Sequence, residues 1–194
     1  MNKFAKIIRV ITTPTALFFI MLFIMFFVKP AFFSSAAELW VPMCFIGIFP
    51  LIAYFVSFII KKIKNPENDD YRKIQRKLAF FFSVIGYFFG FILSSSLNLN
   101  CSIIRITAIY FFSVIILSVF NLCRWKASGH ACGISGPMLI LCYHIGWLYI
   151  FPCIIVYILS FWSSVFLKRH TVTQFILGTL SAVFAFFIAI LIFK

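Results

Sequence analysis

Long apolar runs alternate with short polar connections along this chain. A helix of about 20 apolar residues crosses a bilayer core about 30 Å thick. Runs of that kind predict seven apolar segments, at residues 10 to 28, 41 to 60, 78 to 97, 102 to 123, 131 to 147, 149 to 167 and 172 to 193. The pattern therefore predicts a single integral membrane domain, residues 1 to 194, folded as an all-α polytopic helix bundle with about six or seven transmembrane helices.

The first apolar run has two interpretations. Lys3, Lys6 and Arg9 precede it and small residues follow at 34 to 38, an order that is also typical of a cleavable signal peptide. However, Lys29 interrupts the sequence before those small residues, and six further apolar segments follow. This arrangement favours a first helix that is retained.

Composition and charge support the membrane assignment. Hydrophobic residues make up 64% of the 194 residues and charged residues only 11%, which excludes an ordinary soluble domain. The net charge of +13 arises from 17 Lys and Arg against four acidic residues. Because the basic residues lie at the ends of apolar segments, they indicate contact with anionic lipid headgroups rather than with nucleic acid.

The cysteines give no sign of a disulfide or metal framework. All six stand singly, most of them inside apolar runs and without a CxxC pair, as expected of small membrane-buried side chains. The nearest approach to a ligand cluster, Cys123 with His130 and Cys132, has no usual zinc-site spacing. We therefore expect neither a metal nor a cofactor.

One polar stretch, residues 61 to 77, carries an excess of Lys and Arg and is assigned to the cytoplasm by the positive-inside rule. With seven crossings, the connections at 124 to 130 and at 168 to 170 return to that same face. The residues that this topology collects there include two histidines and four cations: Arg124, Lys126, His130, Lys168, Arg169 and His170.

The surroundings of each histidine favour anion chemistry. The Ser128 hydroxyl and the amides of Gly129 and His130 lie where the fifth helix begins, and unpaired N–H groups at a helix start attract phosphate. His170 opens the last helix with Gln174 one turn later, so that the amide is able to hold one imidazole nitrogen and leave the other free.

Two segments resemble motifs of the type-2 phosphatidic-acid phosphatase superfamily. "KASGH", 126 to 130, is similar to its second motif, PSGH, and "SSVFLKRHTVTQ", 163 to 174, to its third, SRxxxxxH. "RHTVTQFILG" is similar to a form carried by small prokaryotic members. The motif similarity covers roughly residues 120 to 182, in a motif-bearing core at approximately 78 to 194, and it implies a prokaryotic plasma membrane.

The resemblance implies a phosphatase that acts on a lipid phosphate or an isoprenyl phosphate or diphosphate. His170 would be the nucleophile that forms a phosphohistidine, and His130 would protonate the leaving oxygen. Gln174 would orient His170. The implied phosphate-binding residues are Arg124, Lys126, Ser128, Gly129, Lys168 and Arg169.

The chain also departs from the family pattern. Ser164 stands where the third motif has Arg, Ala127 replaces the Pro of PSGH, and Gln174 replaces an Asp. The first motif, KxxxxxxRP, is absent from the chain. These departures favour an alternative, a catalytically inactive lipid-binding or scaffolding membrane protein of the same fold. A small transporter is a third hypothesis, disfavoured because the core segments lack acidic residues and repeats.

Overall fold

The computed structural model describes residues 1 to 64 and 67 to 193, and this part of the chain is helical without a β-strand. Its α-helices are α1 (Asn2–Ile11), α2 (Pro14–Val28), α3 (Ala36–Pro42), α4 (Ile52–Lys64), α5 (Asn68–Ser96), α6 (Cys101–Leu122), α7 (Gly129–His144), α8 (Ile150–Phe166) and α9 (Val172–Ile192). Short connecting turns are helical too, at Pro30–Phe32, Met43–Ile48, Phe49–Leu51 and Trp147–Tyr149. The predicted all-α fold is confirmed.

Within the described residues, five stretches are long and apolar enough to cross a membrane: Ala36–Lys64, Asp70–Ser96, Cys101–Leu122, Trp147–Phe166 and Val172–Ile192. The pair α1 and α2, bent by 52°, makes a sixth if it forms one crossing. The predicted segment 131 to 147 becomes α7, whose 16 residues are shorter than a full crossing. The protein is thus an integral membrane helix bundle.

Prolines account for two differences from the predicted segment boundaries. The first segment was expected to begin at residue 10, but Val10 belongs to α1 and α2 begins with Pro14. Proline lacks an N–H and fits the first position of a helix, so the chain bends there. Pro42 and Pro50 likewise interrupt the second segment, where α3 continues into α4 through the irregular turns at 43 to 51.

The helix α9 lies at the centre of the packing, against α6 and α7. Its buried face is rich in small residues at helical spacing, including Gly178, Ala182, Ala185 and Ala189. Small side chains allow helix backbones to approach closely in a membrane, where van der Waals contact stabilises association. This close packing brings the beginning of α9 next to the beginning of α7.

The polar stretch at 61 to 77 is mostly helical rather than a loop. The helix α4 continues to Lys64 and α5 begins at Asn68, while Asn65 and Pro66 lie outside the described residues. Both helices therefore continue beyond the apolar core, and the basic side chains lie on these polar ends. One of them, Arg76, lies within electrostatic range of His170.

The opposite end of the bundle is closed by hydrogen bonds between its connections. Lys29 donates from Nζ to the carbonyl oxygen of His144 at 3.3 Å. Asn100 donates from Nδ2 to the carbonyl oxygen of Phe32 at 2.8 Å. These contacts join the ends of α2 and α7 and the start of α6.

Candidate functional site

The two histidine motifs lie side by side at the beginnings of α7 and α9. The backbone N–H of Ser128 donates to the carbonyl oxygen of Gln174 at 2.9 Å. One turn further along α9, a Cβ on Gly178 would overlap the Ser128 carbonyl oxygen and lie 3.0 Å from the Ala131 Cβ. Glycine at 178 therefore permits the contact that joins the two motifs, which are 40 residues apart in sequence.

Ser128 fixes where α7 begins. The side chain is fully buried, and its Oγ accepts from the backbone N–H of Ala131 at 3.2 Å, an N-cap bond. Gly129 and His130 follow as the first residues of the helix, where N–H groups have no acceptor within the helix. The hydroxyl oxygen is thus engaged by the helix, and the amides after it are the groups that remain able to face an anion.

His170 occupies a tight connection between α8 and α9. Lys168 adopts a left-handed conformation, φ 51°, and its N–H donates to Val165 O at 2.9 Å, while the Arg169 N–H donates to Ser164 O at 3.0 Å. This pair of bonds is a Schellman motif that ends α8. Thr171 then caps α9, exchanging backbone and side-chain bonds with Gln174 at 3.3 Å. His170 is the single residue between the two motifs and is held from both sides.

An arginine from the opposite end of the chain completes the site. Arg9 donates from Nη1 to the Oγ of Ser164 at 3.0 Å. Ser164 is fully buried and occupies the position at which the third motif of the resembled family carries Arg. A guanidinium is therefore present beside this position, but it is supplied by α1.

The helix α1 is positioned by packing on α8. Its Ala5 and Ile8 are buried, and the rings of Phe4 and Trp162 lie with centroids 6.2 Å apart. At the junction with α2, a Cβ on Gly133 of α7 would overlap the Pro14 ring, so α7 and α2 are in close contact where the chain bends. Arg9 is thus presented by a helix that packs on α8 and leads into the start of α2.

The electrostatic environment keeps the His170 imidazole neutral. Burial lowers the pKa of His170 to about 4, and the nearby positive charge of Arg9 contributes in the same direction. A side-chain hydrogen bond to Gln174 opposes this shift, while Arg76 and Arg169 add to it. Because the pKa lies well below 7, His170 is unprotonated at neutral pH, the state in which an imidazole is a nucleophile.

His130 belongs to the same cluster. Burial lowers the pKa of His130 to about 3, and Arg9 and His170 both lie within electrostatic range of it. Its Nε2 is buried and has no hydrogen-bond partner in the described part of the chain. A buried polar nitrogen without a partner is costly, and such groups require an explanation such as a catalytic role or an unseen partner.

The predicted phosphate-binding residues divide into two groups. Lys168, Arg169, His170 and Gln174 line an open depression of about 530 Å³ together with Val165. Arg124 and Lys126, in the connection before α7, have exposed side chains. The backbone of Arg124 is left-handed, φ 63°, and ends α6 as Lys168 ends α8.

Sequence reasoning assigned Arg9 and Arg76 only to the charged ends of apolar segments. Both act on His170, and Tyr54 of α4 also lies within electrostatic range of Arg9. A signal for Arg9 is present in the helical spacing of Ala5, Ile8 and Thr12, which are buried and make residues 2 to 11 an amphipathic helix. The family motifs that indicated the two histidines include no residue of the segment that carries Arg9.

Among the described residues, no three His, Cys, Asp or Glu side chains are grouped so that they could hold a metal ion. No protein-family model, curated protein or solved structure matches the chain. The family resemblance therefore rests on the motif residues themselves.

Proposed function

We propose that this protein is a membrane-embedded phosphatase that hydrolyses a lipid phosphate through a phosphohistidine on His170. The observation that carries the proposal is the Arg9 guanidinium, bonded to Ser164 Oγ at 3.0 Å within electrostatic range of a neutral His170 and of His130, whose buried Nε2 has no partner among the described residues. Nucleophile, proton donor and phosphate-binding cation are the groups that this reaction needs.

The reaction proceeds in two displacements. An imidazole nitrogen of His170 attacks phosphorus and the P–N bond forms. The ester P–O bond breaks as His130, which has taken a proton from the monoprotonated phosphate of the substrate, gives that proton to the leaving oxygen. Water then attacks the phosphohistidine, losing its proton to His130 as the P–N bond breaks, and inorganic phosphate leaves. The buried Nε2 of His130, with no partner in the described chain, is the atom that carries this proton.

Positive charge stabilises the transferring phosphoryl group. Arg9, Arg76 and Arg169 all lower the pKa of His170, so three guanidinium charges lie within electrostatic range of the imidazole that would bind the phosphoryl group. Arginine binds phosphate with two parallel N–H bonds and stays charged throughout the pH range of the reaction. The amides that begin α7 would add donors from the side of His130.

The substrate is a lipid because the site lies at the end of apolar helices. His170 lies in the connection that follows α8, and His130 opens α7 after the connection that follows α6. Because α6 and α8 are long and apolar enough to cross the hydrocarbon region, a headgroup at their ends keeps its tail within the bilayer. Phosphatidate and isoprenyl phosphates or diphosphates fit this description. The excess of cations at the same end favours the cytoplasmic face of a prokaryotic plasma membrane.

The decisive experiment measures phosphate release by the purified protein in detergent, without metal, from phosphatidate and from farnesyl and undecaprenyl phosphates and diphosphates. His170→Ala is expected to abolish release. His144→Ala is the matched control, since this histidine lies at the opposite end of the bundle, and it should retain release. Activity that survives His170→Ala would disprove the mechanism.

Absence of release from every substrate, with a folded parent protein, would favour the second candidate, a catalytically silent lipid-binding protein. The observation that favours this candidate is the missing first motif together with the exposure of Arg124 and Lys126. Binding of phosphatidate vesicles by the silent protein would then support it.

Sidedness has its own test in Cys123, an exposed thiol at the end of α6. If the site faces the cytoplasm, an impermeant maleimide added to intact cells leaves Cys123 unlabelled until the membrane is permeabilised. A Cys123→Ser variant identifies the labelled position. Labelling of Cys123 in intact cells would place the site on the outer face.

A further inference from the structure

The helix α1 differs from the helices that follow it, because its outward surface is amphipathic. Phe4, Ile7 and Ile11 recur at three- and four-residue spacing, so they share one face, and each has more than half of its side chain exposed. Lys3 and Lys6 are exposed on the adjoining face. This distribution is that of a helix lying in the boundary layer of a membrane, with its apolar side towards the acyl chains.

The neighbouring helix provides the comparison. The sequence of α2 contains no charged residue, as expected of a helix within the hydrocarbon core. The 52° bend between the two helices at Thr12 and Thr13 turns α1 away from the direction of α2. The charged helix is therefore the one that leaves the core, and it leaves towards the end that holds the histidines.

The charges determine which lipids suit this surface. Lys3 and Lys6 have no acidic residue near them in sequence, since the first acidic residue of the chain is Glu38. Lysines next to a bilayer are attracted to anionic headgroups, at about a fivefold gain in binding for each lysine. Aliphatic and phenyl groups on the adjoining face supply the apolar contact that anchors such helices.

We infer that α1 binds an anionic lipid surface through Lys3 and Lys6, and that this binding holds Arg9 against Ser164. The first part is independent of catalysis, whereas the second part, in which lipid charge controls the phosphatase, rests on the proposed function. Arg9 projects from the inner side of the same helix whose outer side carries the lysines. Release of α1 from the surface would withdraw a guanidinium from the histidines.

Hydrogen exchange tests the lipid contact without any need for activity. The protein is placed in nanodiscs of phosphatidylcholine alone or of an equal mixture with phosphatidylglycerol, and exchange of the amides of residues 3 to 11 is followed by mass spectrometry. We expect slower exchange with phosphatidylglycerol. The double variant Lys3→Glu, Lys6→Glu should remove this difference in exchange, because each lysine contributes about a fivefold gain in binding to anionic headgroups. High salt should reduce the difference in the parent protein.

The matched control replaces Lys62 and Lys64 with Glu, two exposed cations at the same end of the bundle but on α4. This pair should leave the lipid dependence of α1 exchange intact. Equal exchange of α1 in both membranes would show that apolar contact alone covers it and would overturn the inference. Loss of the dependence in the α4 control as well would overturn it too, since the effect would then be one of total charge.

A second measurement separates this inference from the proposed function. Phosphate release in the same nanodiscs should rise with phosphatidylglycerol in the parent protein and not in the Lys3→Glu, Lys6→Glu variant. Lipid-dependent exchange without any phosphate release would keep the lipid contact and disprove the phosphatase. Phosphate release that is independent of phosphatidylglycerol would keep the phosphatase and disprove control by α1.

Discussion

Replacement of Arg9 by Gln tests the most unexpected element of the site. The substitution keeps a polar side chain but removes the guanidinium that reaches Ser164 at 3.0 Å. A hydrogen bond to a charged group contributes about 1.5–3 kcal/mol, and a tenfold change in rate corresponds to about 1.36 kcal/mol. If Arg9 contacts the transferring phosphoryl group, kcat/KM should therefore fall about 10- to 150-fold.

The assay is phosphate release in detergent from the substrate that the parent protein hydrolyses best. Lys62→Gln removes an exposed cation at the same end of the bundle and should retain the parental kcat/KM. The double variant Arg9→Ala with Ser164→Arg returns the guanidinium to the position of the family motif and should recover part of the loss. A folded Arg9→Gln protein with the parental kcat/KM would refute the assignment of Arg9 to the phosphate.

Three further predictions concern the pKa of His170, the contact between Gly178 and Ser128, and the left-handed backbone of Lys168. Because the pKa of His170 is lowered to about 4 and its neutral form is the nucleophile, kcat/KM should fall on acidification only near pH 4. In Arg9→Gln, the fall in kcat/KM on acidification should begin at higher pH, because the loss of a neighbouring positive charge raises the pKa of His170. Gly178→Ala should destabilise the protein by about 1–3 kcal/mol in thermal unfolding, because the methyl group meets the Ser128 carbonyl, whereas Gly136→Ala, 3.9 Å from the nearest group, should be tolerated. Lys168→Gly should stabilise by about 1 kcal/mol by relieving a left-handed backbone, whereas Lys62→Gly, within α4, should destabilise.

Much of the fold was accessible from the sequence because a bilayer imposes a simple rule on length and polarity. Each predicted apolar segment corresponds to helical structure, and the predicted segments 131 to 147 and 149 to 167 are separated by a break, where Gly146 has φ 144° and a short turn follows. The misplaced boundaries lie at Pro14, Pro42 and Pro50, where backbone chemistry overrides an apolar pattern. The sequence pattern did not predict that α5 includes residues 68 to 77, because charged residues such as those are typical of a loop.

The histidines were found from local motifs, whereas the cation beside them was not. Gln174 could be related to His170 because only four positions separate them, although His170 lies just before α9 rather than opening that helix as the sequence pattern predicted. Arg9 and Ser164 are separated by 155 residues, and no local pattern encodes their meeting. The packing of α1 on α8 decides it, through buried side chains such as Ala5 and Ile8.

The bond between Arg9 and Ser164 also has a consequence for biosynthesis. Membrane insertion follows the order of the chain, so α1 is made before its partner on α8, which emerges only after α2 to α7 have been delivered to the bilayer. Throughout that interval the guanidinium of Arg9 has no serine to bind. The site is therefore assembled only after α8 and the start of α9 have been made, and an incomplete chain that ends before α8 carries Arg9 and His130 but neither Ser164 nor His170.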